Sequence, residues 1–331
     1  GPVWLDVPID VQRKRYSVNS KKFLFKKKKN NHTYNPISND LIKFIISKIN
    51  SSKRPIIYAG TDINAFNCKK IFKQLVNKIK IPVVTEWNSH DLIDEKSDYY
   101  VGRPGLRGDR KGNIVVYKAD LIISIGTTLS IRQVGDVKDM FSPKSYKIMA
   151  HIDKDELNKP NLNIDLPVHT NINLIINALN RHSSKTKKSF SRWIKWCHSL
   201  DLKLNRYDRY KDKLKINPYN AIKIIYNKLP KNKVTIVGNG ISVVGSFQKA
   251  RIKSGDIMFQ NVGCASMGYD IPASIGASFA IQKMNIKKRI FCVSRDGSFQ
   301  FNIQELQTIN HHKLNINFFI FNNEGYSSMK Q

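Results

Sequence analysis

The sequence predicts an α/β protein of two consecutive doubly wound domains with mainly parallel sheets, preceded by the last strand of a truncated third domain. Three observations predict it. Short runs such as "PIIYA", "LIISIG" and "KVTIVG" are apolar throughout, which fits strands buried on both faces of a parallel sheet. They alternate with helix-length segments whose apolar residues recur every three or four positions, the arrangement that covers a parallel sheet with helices. The alternation occurs twice, and a charged stretch at 181–216 separates the two occurrences.

Taken in order, residues 1–12, "GPVWLDVPIDVQ", read as one buried strand followed by a turn, the tail of a domain whose body is absent. The chain opens without an initiator Met or a signal-peptide core and so reads as a piece cut at both ends. Residues 13–35 are basic and polar without apolar periodicity, a linker. The domain at 36–180 opens with "SNDLIKFIISKI", where Ser38 or Asn39 can cap a helix and Leu41, Ile42, Ile45, Ile46 and Ile49 repeat at helical spacing. "RPIIYAG", "IPVVTEW", "KADLIISIG" and "SYKIMAHID" are its four expected strands, with "CKKIFKQLVNKI" a helix between the first two. The connector at 181–216 has helical spacing at Trp193, Trp196 and Leu200 and no chemistry of its own. In the block 217–331, "KVTIVGNG", "RIFCVSRDGS" and "INFFIFNNEGY" are strands, "SMGYDIPASIGASFAIQK" and "IQELQTINHH" helices, and the sheet is unfinished at Gln331.

Composition narrows the function. With 331 residues, each domain can bury a core of its own. The net charge of +31, from 56 Lys+Arg against 25 Asp+Glu, raises the possibility of a nucleic-acid partner. Against it, the excess is mostly Lys travelling with Asn and Ile, the signature of an AT-rich genome, and its densest cluster, "KKFLFKKKKNNH", lies in the linker. Nucleic acid is therefore not the expected partner. Cys68, Cys197, Cys264 and Cys292 are scattered without a CxxC pair, which argues against zinc or a disulfide framework and for a reducing cytoplasm. No apolar run is long enough to cross a bilayer, and no membrane partner is expected.

The chemistry concentrates in "SRDGSFQFNIQELQTINHHKLNINFFIFNNEGY", residues 294–326. As a βαβ unit it has a strand at 289–293, a helix at 303–312 and a parallel strand at 316–321. Asp296 and Asn323 then both lie just past carboxyl ends of strands, where open α/β sheets place ligands. Two hard oxygen donors there suit Mg²⁺ or Ca²⁺ carrying phosphates. Gly297 and Ser298 follow at the start of a helical segment, where free backbone N–H groups favour a diphosphate. The same letters also fit an ordinary crossover in which Asp-Gly-Ser caps a helix and Asn-Asn-Glu-Gly is a turn.

The 27 positions from Asp296 to Asn323 give the pattern a further meaning. It resembles the diphosphate-binding motif of thiamine-diphosphate enzymes, Gly-Asp-Gly followed after a spacer by Asn-Asn. "GPVWLDVPIDVQ", "HIDKDELNK", "IVGNGISVVGSFQ" and "NVGCASMGYDIPASIGASFA" resemble, in the right order, segments of the acetolactate synthase branch. "GRPGLRGDRKGN" (102–113), "SIRQVG" (130–135) and "NNEGYSSMKQ" (322–331) resemble acetolactate-synthase-like proteins of bacterial surface-polysaccharide gene clusters. The resemblance covers essentially the whole chain.

This resemblance implies a carboligase or decarboxylase acting on 2-keto acids with thiamine diphosphate and Mg²⁺, assembled as a homodimer or homotetramer. It implies Asp296, Asn323 and the Gly325 carbonyl as metal ligands. Gly297 and Ser298 would hold the diphosphate, with Gly240, Ile241 and Ser242 contacting it from the neighbouring strand end. Met267 would wedge between the cofactor's rings and bend it, although a Met is more often core filler, and the Ala265 carbonyl would accept a hydrogen bond from the aminopyrimidine. The activating glutamate belongs to the pyrimidine-binding domain outside this chain, which leaves the catalytic residue unknown. Three departures stand out. Arg295 replaces the first glycine of Gly-Asp-Gly, and Ser242 stands where acetolactate synthases have a His. "YAGTDIN" and "SIGTTLSIRQ" lack the paired glycines and first arginine of flavin-bearing members, which puts FAD in doubt. A catalytically degenerate homologue that keeps the fold as a binding or assembly module is the alternative.

Overall fold

The computed structural model describes residues 5–15, 36–137, 140–160, 162–204 and 216–326. The chain divides into two compact units, Gly1–Tyr34 and Asn35–Gln331. In the first, the strand expected over 1–12 is absent among the described residues. Residues 5–8 pair with no strand, and Ile9–Arg13 form a short helix with no buried residue. Pro8 sets the local geometry: its carbonyl accepts the N–H groups of Val11 and Gln12, which closes a helical turn where a strand would need a partner. The linker beyond residue 15 lies outside the described residues.

The second unit contains two parallel sheets. The first comprises β1 (Pro55–Ala59), β2 (Val83–Thr85), β3 (Tyr100–Gly102), β4 (Leu121–Ile125), β5 (Tyr146–His151) and β6 (Leu166–His169), in the order β3-β2-β1-β4-β5-β6. The second comprises β7 (Lys233–Val237), β8 (Ile257–Gln260), β9 (Arg289–Arg295) and β10 (Ile316–Phe321), in the order β10-β9-β7-β8. Every pairing is parallel, as the uniformly apolar strands require. The unanticipated strands β3, β6 and β8 are all at sheet edges. β3, "YVG", is buried but too short to show a run, and β6 reads "LPVH" with one buried position.

Helices cover the first sheet on the faces their periodicity dictates. Asn39–Ser51 is capped by Ser38, whose Oγ accepts the Leu41 N–H, and buries Ile42, Ile45, Ile46 and Ile49. Part of the expected connector belongs to this core. The helix Ser191–Leu204 buries Trp193, Cys197 and Leu200 there, and Trp193 Nε1 donates to the Pro55 carbonyl at 3.0 Å. Residues 205–215 lie outside the described residues.

The "GRPGLRGDRKGN" segment ties the two sheets together. Asp109 caps the helix Arg110–Lys118 through the Gly112 N–H and also accepts the Arg103 N–H, which fixes the turn. The Arg103 guanidinium is buried and donates to the carbonyls of Phe247 (2.9 Å) and Ala250 (2.8 Å). These lie at the carboxyl end of the helix Ile241–Lys249, where carbonyls lack intrahelical donors and the dipole favours a cation. Trp87, just past β2, stacks on Phe247 with centroids 3.6 Å apart. No described helix is long and apolar enough to cross a membrane.

Candidate active site

The register of β9 and β10 assembles the site. Phe321 pairs with Arg295, so both strands end together and Asp296 emerges beside 322–325. Asp296 Oδ2 accepts the Gly325 N–H at 2.9 Å. Burial raises the Asp296 carboxyl pKa, but the N–H groups of Gly325, Gly297 and Asn323 and the Arg295 charge outweigh it and hold the group below the ordinary carboxylate range. An ionised carboxylate thus sits at the strand end, with the loop after β10 folded onto it. Gly325 has φ +126° and open space where a side chain would be.

Gly297 lies where a Cβ would meet the Tyr326 ring at 3.1 Å and Met267 Cε at 3.3 Å. The structure therefore brings Met267, Gly297 and Tyr326 together beside Asp296. The segment after β9 begins as a five-residue helix, Asp296–Gln300, and a second helix, Glu305–His311, follows in place of the single one expected at 303–312.

Two of the expected diphosphate contacts have their hydroxyls engaged within the chain. The Ser298 hydroxyl is fully buried, donating to Asp270 Oδ1 and accepting the Gly268 N–H, both at 3.0 Å. The Ser242 hydroxyl is equally buried and donates to the Asn239 carbonyl at 2.7 Å. Both side chains brace turns, so any contact with a ligand is left to their backbone. Gly240, at φ +63° and ψ −133°, precedes the helix Ile241–Lys249, whose first N–H groups have no intrahelical acceptor. Only glycine suits that conformation.

The loop before Met267 is held by groups that sequence reasoning did not single out. Ala265 adopts φ +54°, and its carbonyl accepts Asn239 Nδ2 at 3.0 Å, leaving one lone pair. Arg132, from "SIRQVG", donates to the Gly263 carbonyl at 2.9 Å. The signal for Asn239 was its place in "GNG", between two glycines at a strand end.

In the first sheet the strand order reverses between β1 and β4, the place where doubly wound sheets take a dinucleotide. Here Gly60 packs on Gly126 so closely that a Cβ would sit 2.0 Å from the Gly126 oxygen. The buried carboxylate of Glu86 fills the crevice. Its Oε1 accepts the Thr61 N–H (2.6 Å) and Thr61 hydroxyl (2.8 Å), and its Oε2 accepts Thr127 Oγ1 and Gln133 Nε2. Burial pushes this carboxyl up to about 7 against those hydrogen bonds. The Thr61 N–H at this strand end is thus taken by the Glu86 side chain.

At the other sheet the residues present do fit a metal-held diphosphate. A carboxylate kept ionised lies at the strand end, where a cation suits it, beside glycine cradles at Gly240 and Gly297 that a Cβ would fill. The description "Thiamine pyrophosphate enzyme, C-terminal TPP binding domain" matches residues 240–331, and "Thiamine pyrophosphate enzyme, central domain" matches 42–179, together more than two thirds of the chain. The chain belongs to the thiamine pyrophosphate enzyme family. Among its curated relatives, the acetolactate synthase large subunit of Buchnera aphidicola subsp. Schlechtendalia chinensis is 29% identical over all of this chain and 57% of its own length. A probable acetolactate synthase large subunit of Methanococcus aeolicus is also 29% identical, with the same coverage. The acetolactate synthase isozyme 1 large subunit of Escherichia coli K12 is 25% identical over all of this chain and 56% of its own. The chain thus spans a little over half the length of these relatives, and within the family's central and C-terminal domains it carries the sheet with Glu86 and the sheet with Asp296.

Proposed function

We propose that this chain is the central and diphosphate-binding part of an acetolactate-synthase-like enzyme that acts on 2-keto acids, with domains at 36–180 and 217–331 and, between them, a segment 181–216 whose helix Ser191–Leu204 packs on the first. Asp296 carries the reading: an ionised carboxylate clasped by the N–H groups of the loop after the neighbouring strand. Asp296, the Asn323 side chain and the Gly325 carbonyl would hold Mg²⁺ and, through it, the diphosphate of thiamine diphosphate. The first-turn N–H groups of the helix Ile241–Lys249 would meet the same phosphates, and Gly240 and Gly297 leave the room.

Thiamine diphosphate, when bound there, would supply the chemistry for decarboxylating a 2-keto acid and joining its acyl unit to a second carbonyl compound. The chain's own residues bind and orient. Met267 and Ala265 would shape the space for the rings, with Asn239 and Arg132 fixing that loop. The proton-transferring glutamate is assigned to a region outside these 331 residues, so the chain alone turns over no pyruvate. A homodimer or homotetramer in the cytoplasm completes the proposal, with FAD bound weakly or not at all.

Arg295 favours a second reading, a degenerate homologue that binds without catalysis, because it puts a buried cation where the family motif has glycine. Thermal unfolding separates the two from a nucleic-acid protein. Thiamine diphosphate with Mg²⁺ at a hundredfold excess over Kd is expected to stabilise the chain by about 2.7 kcal/mol. Stabilisation by nucleic acid instead, lost with added salt, would refute the enzyme reading.

A further inference from the structure

The residue that departs from the glycine of the family motif also carries an unpartnered buried atom among the described residues. Arg295 is 6% exposed, and its Nε has no hydrogen-bond partner among the described residues. A buried guanidinium in that condition is costly unless something pairs with it. Its direction is fixed by Gly240, since Arg295 Nη1 lies 2.8 Å from where a Cβ at that residue would be. The cation therefore points at the amino end of the nine-residue helix Ile241–Lys249, whose N–H groups and dipole are also positive. Two positive groups facing each other repel unless an anion lies between them.

The carboxylates of this region compensate only in part. Asp296 feels the Arg295 charge, but it is engaged by the N–H groups of Gly325, Gly297 and Asn323. Asp270 takes the Ser298 hydroxyl on Oδ1, and its Oδ2 lies against Gly238 without a hydrogen-bond partner. The Tyr326 ring, 6.0 Å from the guanidinium carbon, offers a cation–π contact that compensates only in part.

We propose that Arg295 is an anion-binding residue whose guanidinium, with the helix N-terminus at Gly240, takes a diphosphate directly, so that diphosphate stays bound after the divalent cation is removed. The inference rests on the reading that this site takes a diphosphate. A guanidinium suits the role because its planar fork meets two phosphate oxygens at once, whereas the motif's glycine offers no charge. Asp296 would then hold the metal and Arg295 the anion, from neighbouring positions at one strand end.

Calorimetry on the 331-residue chain with inorganic diphosphate as the probe, in EDTA and in Mg²⁺, tests this. In EDTA the native chain is expected to bind diphosphate, Arg295→Gly to bind about tenfold or more weakly, and Arg295→Lys to fall between. With Mg²⁺ present the loss should shrink. Melting temperatures without diphosphate identify a variant that fails to fold; if Arg295→Gly does, a loss of about threefold or more in Arg295→Lys decides the matter. Arg295→Gly binding as tightly as the native chain in EDTA, or no binding by the native chain there, overturns the proposal. Repeating the titration with thiamine diphosphate and Mg²⁺ keeps the two ideas apart. Affinity no better than that of diphosphate alone would defeat the enzyme reading while the anion site stood.

Discussion

Glu86 is a single side chain on which four donors converge, and its folded-state pKa makes a definite prediction. Burial raises the carboxyl from its ordinary 4.5 to about 7, so the folded chain holds a proton that the unfolded chain releases. The stability from this group is complete below about 4.5 and is lost as pH rises to about 7, roughly 3 kcal/mol in all. Glu86→Gln should flatten that part of the pH–stability curve, measured by denaturant unfolding at steps between pH 4.5 and 8. An unchanged slope would show that Glu86 titrates normally. Nothing in the sequence marked this residue, because its partners come from Thr61, Thr127 and Gln133, which only the sheet brings together. Ser242 and Ser298 show a different limit. Their positions along the chain were legible, but the direction of a side chain at a turn was not, and both hydroxyls point inward. Asp296 was legible because strand-end placement follows from the βαβ pattern alone.

At the scale of elements, the central strands and their covering helices could be read from apolar runs and helical periodicity, since both are imposed by burial on two faces. The edge strands β3, β6 and β8 could not, and the helix Ser191–Leu204 was read as connector because its charged surface masks the buried Trp193 and Leu200. The link between the sheets depends on one such element. Arg103 caps the carboxyl end of the helix Ile241–Lys249, the same helix whose amino end faces Arg295. Arg103→Lys keeps the charge but cannot reach both carbonyls in a planar fork, and should cost roughly 3 kcal/mol in denaturant unfolding. Because the helix is held at that end, the variant should also weaken diphosphate binding, whereas a purely local role would leave binding unchanged.

Across the whole molecule, the two sheets divide the labour. The first gathers four donors on Glu86 where its strand order reverses, and the second leaves an ionised Asp296, glycine cradles and a buried Arg295 at one strand end. The central claim is that Asp296 anchors the metal that holds thiamine diphosphate. Calorimetric titration of thiamine diphosphate in Mg²⁺ against the native chain and Asp296→Ala tests it most directly. The account predicts measurable binding by the native chain and a loss of about a hundredfold or more in the variant, the equivalent of some 3 kcal/mol for removing the main charge partner of the cation. Equal affinity in the two proteins, or Mg²⁺ making no difference to the native chain, would contradict it.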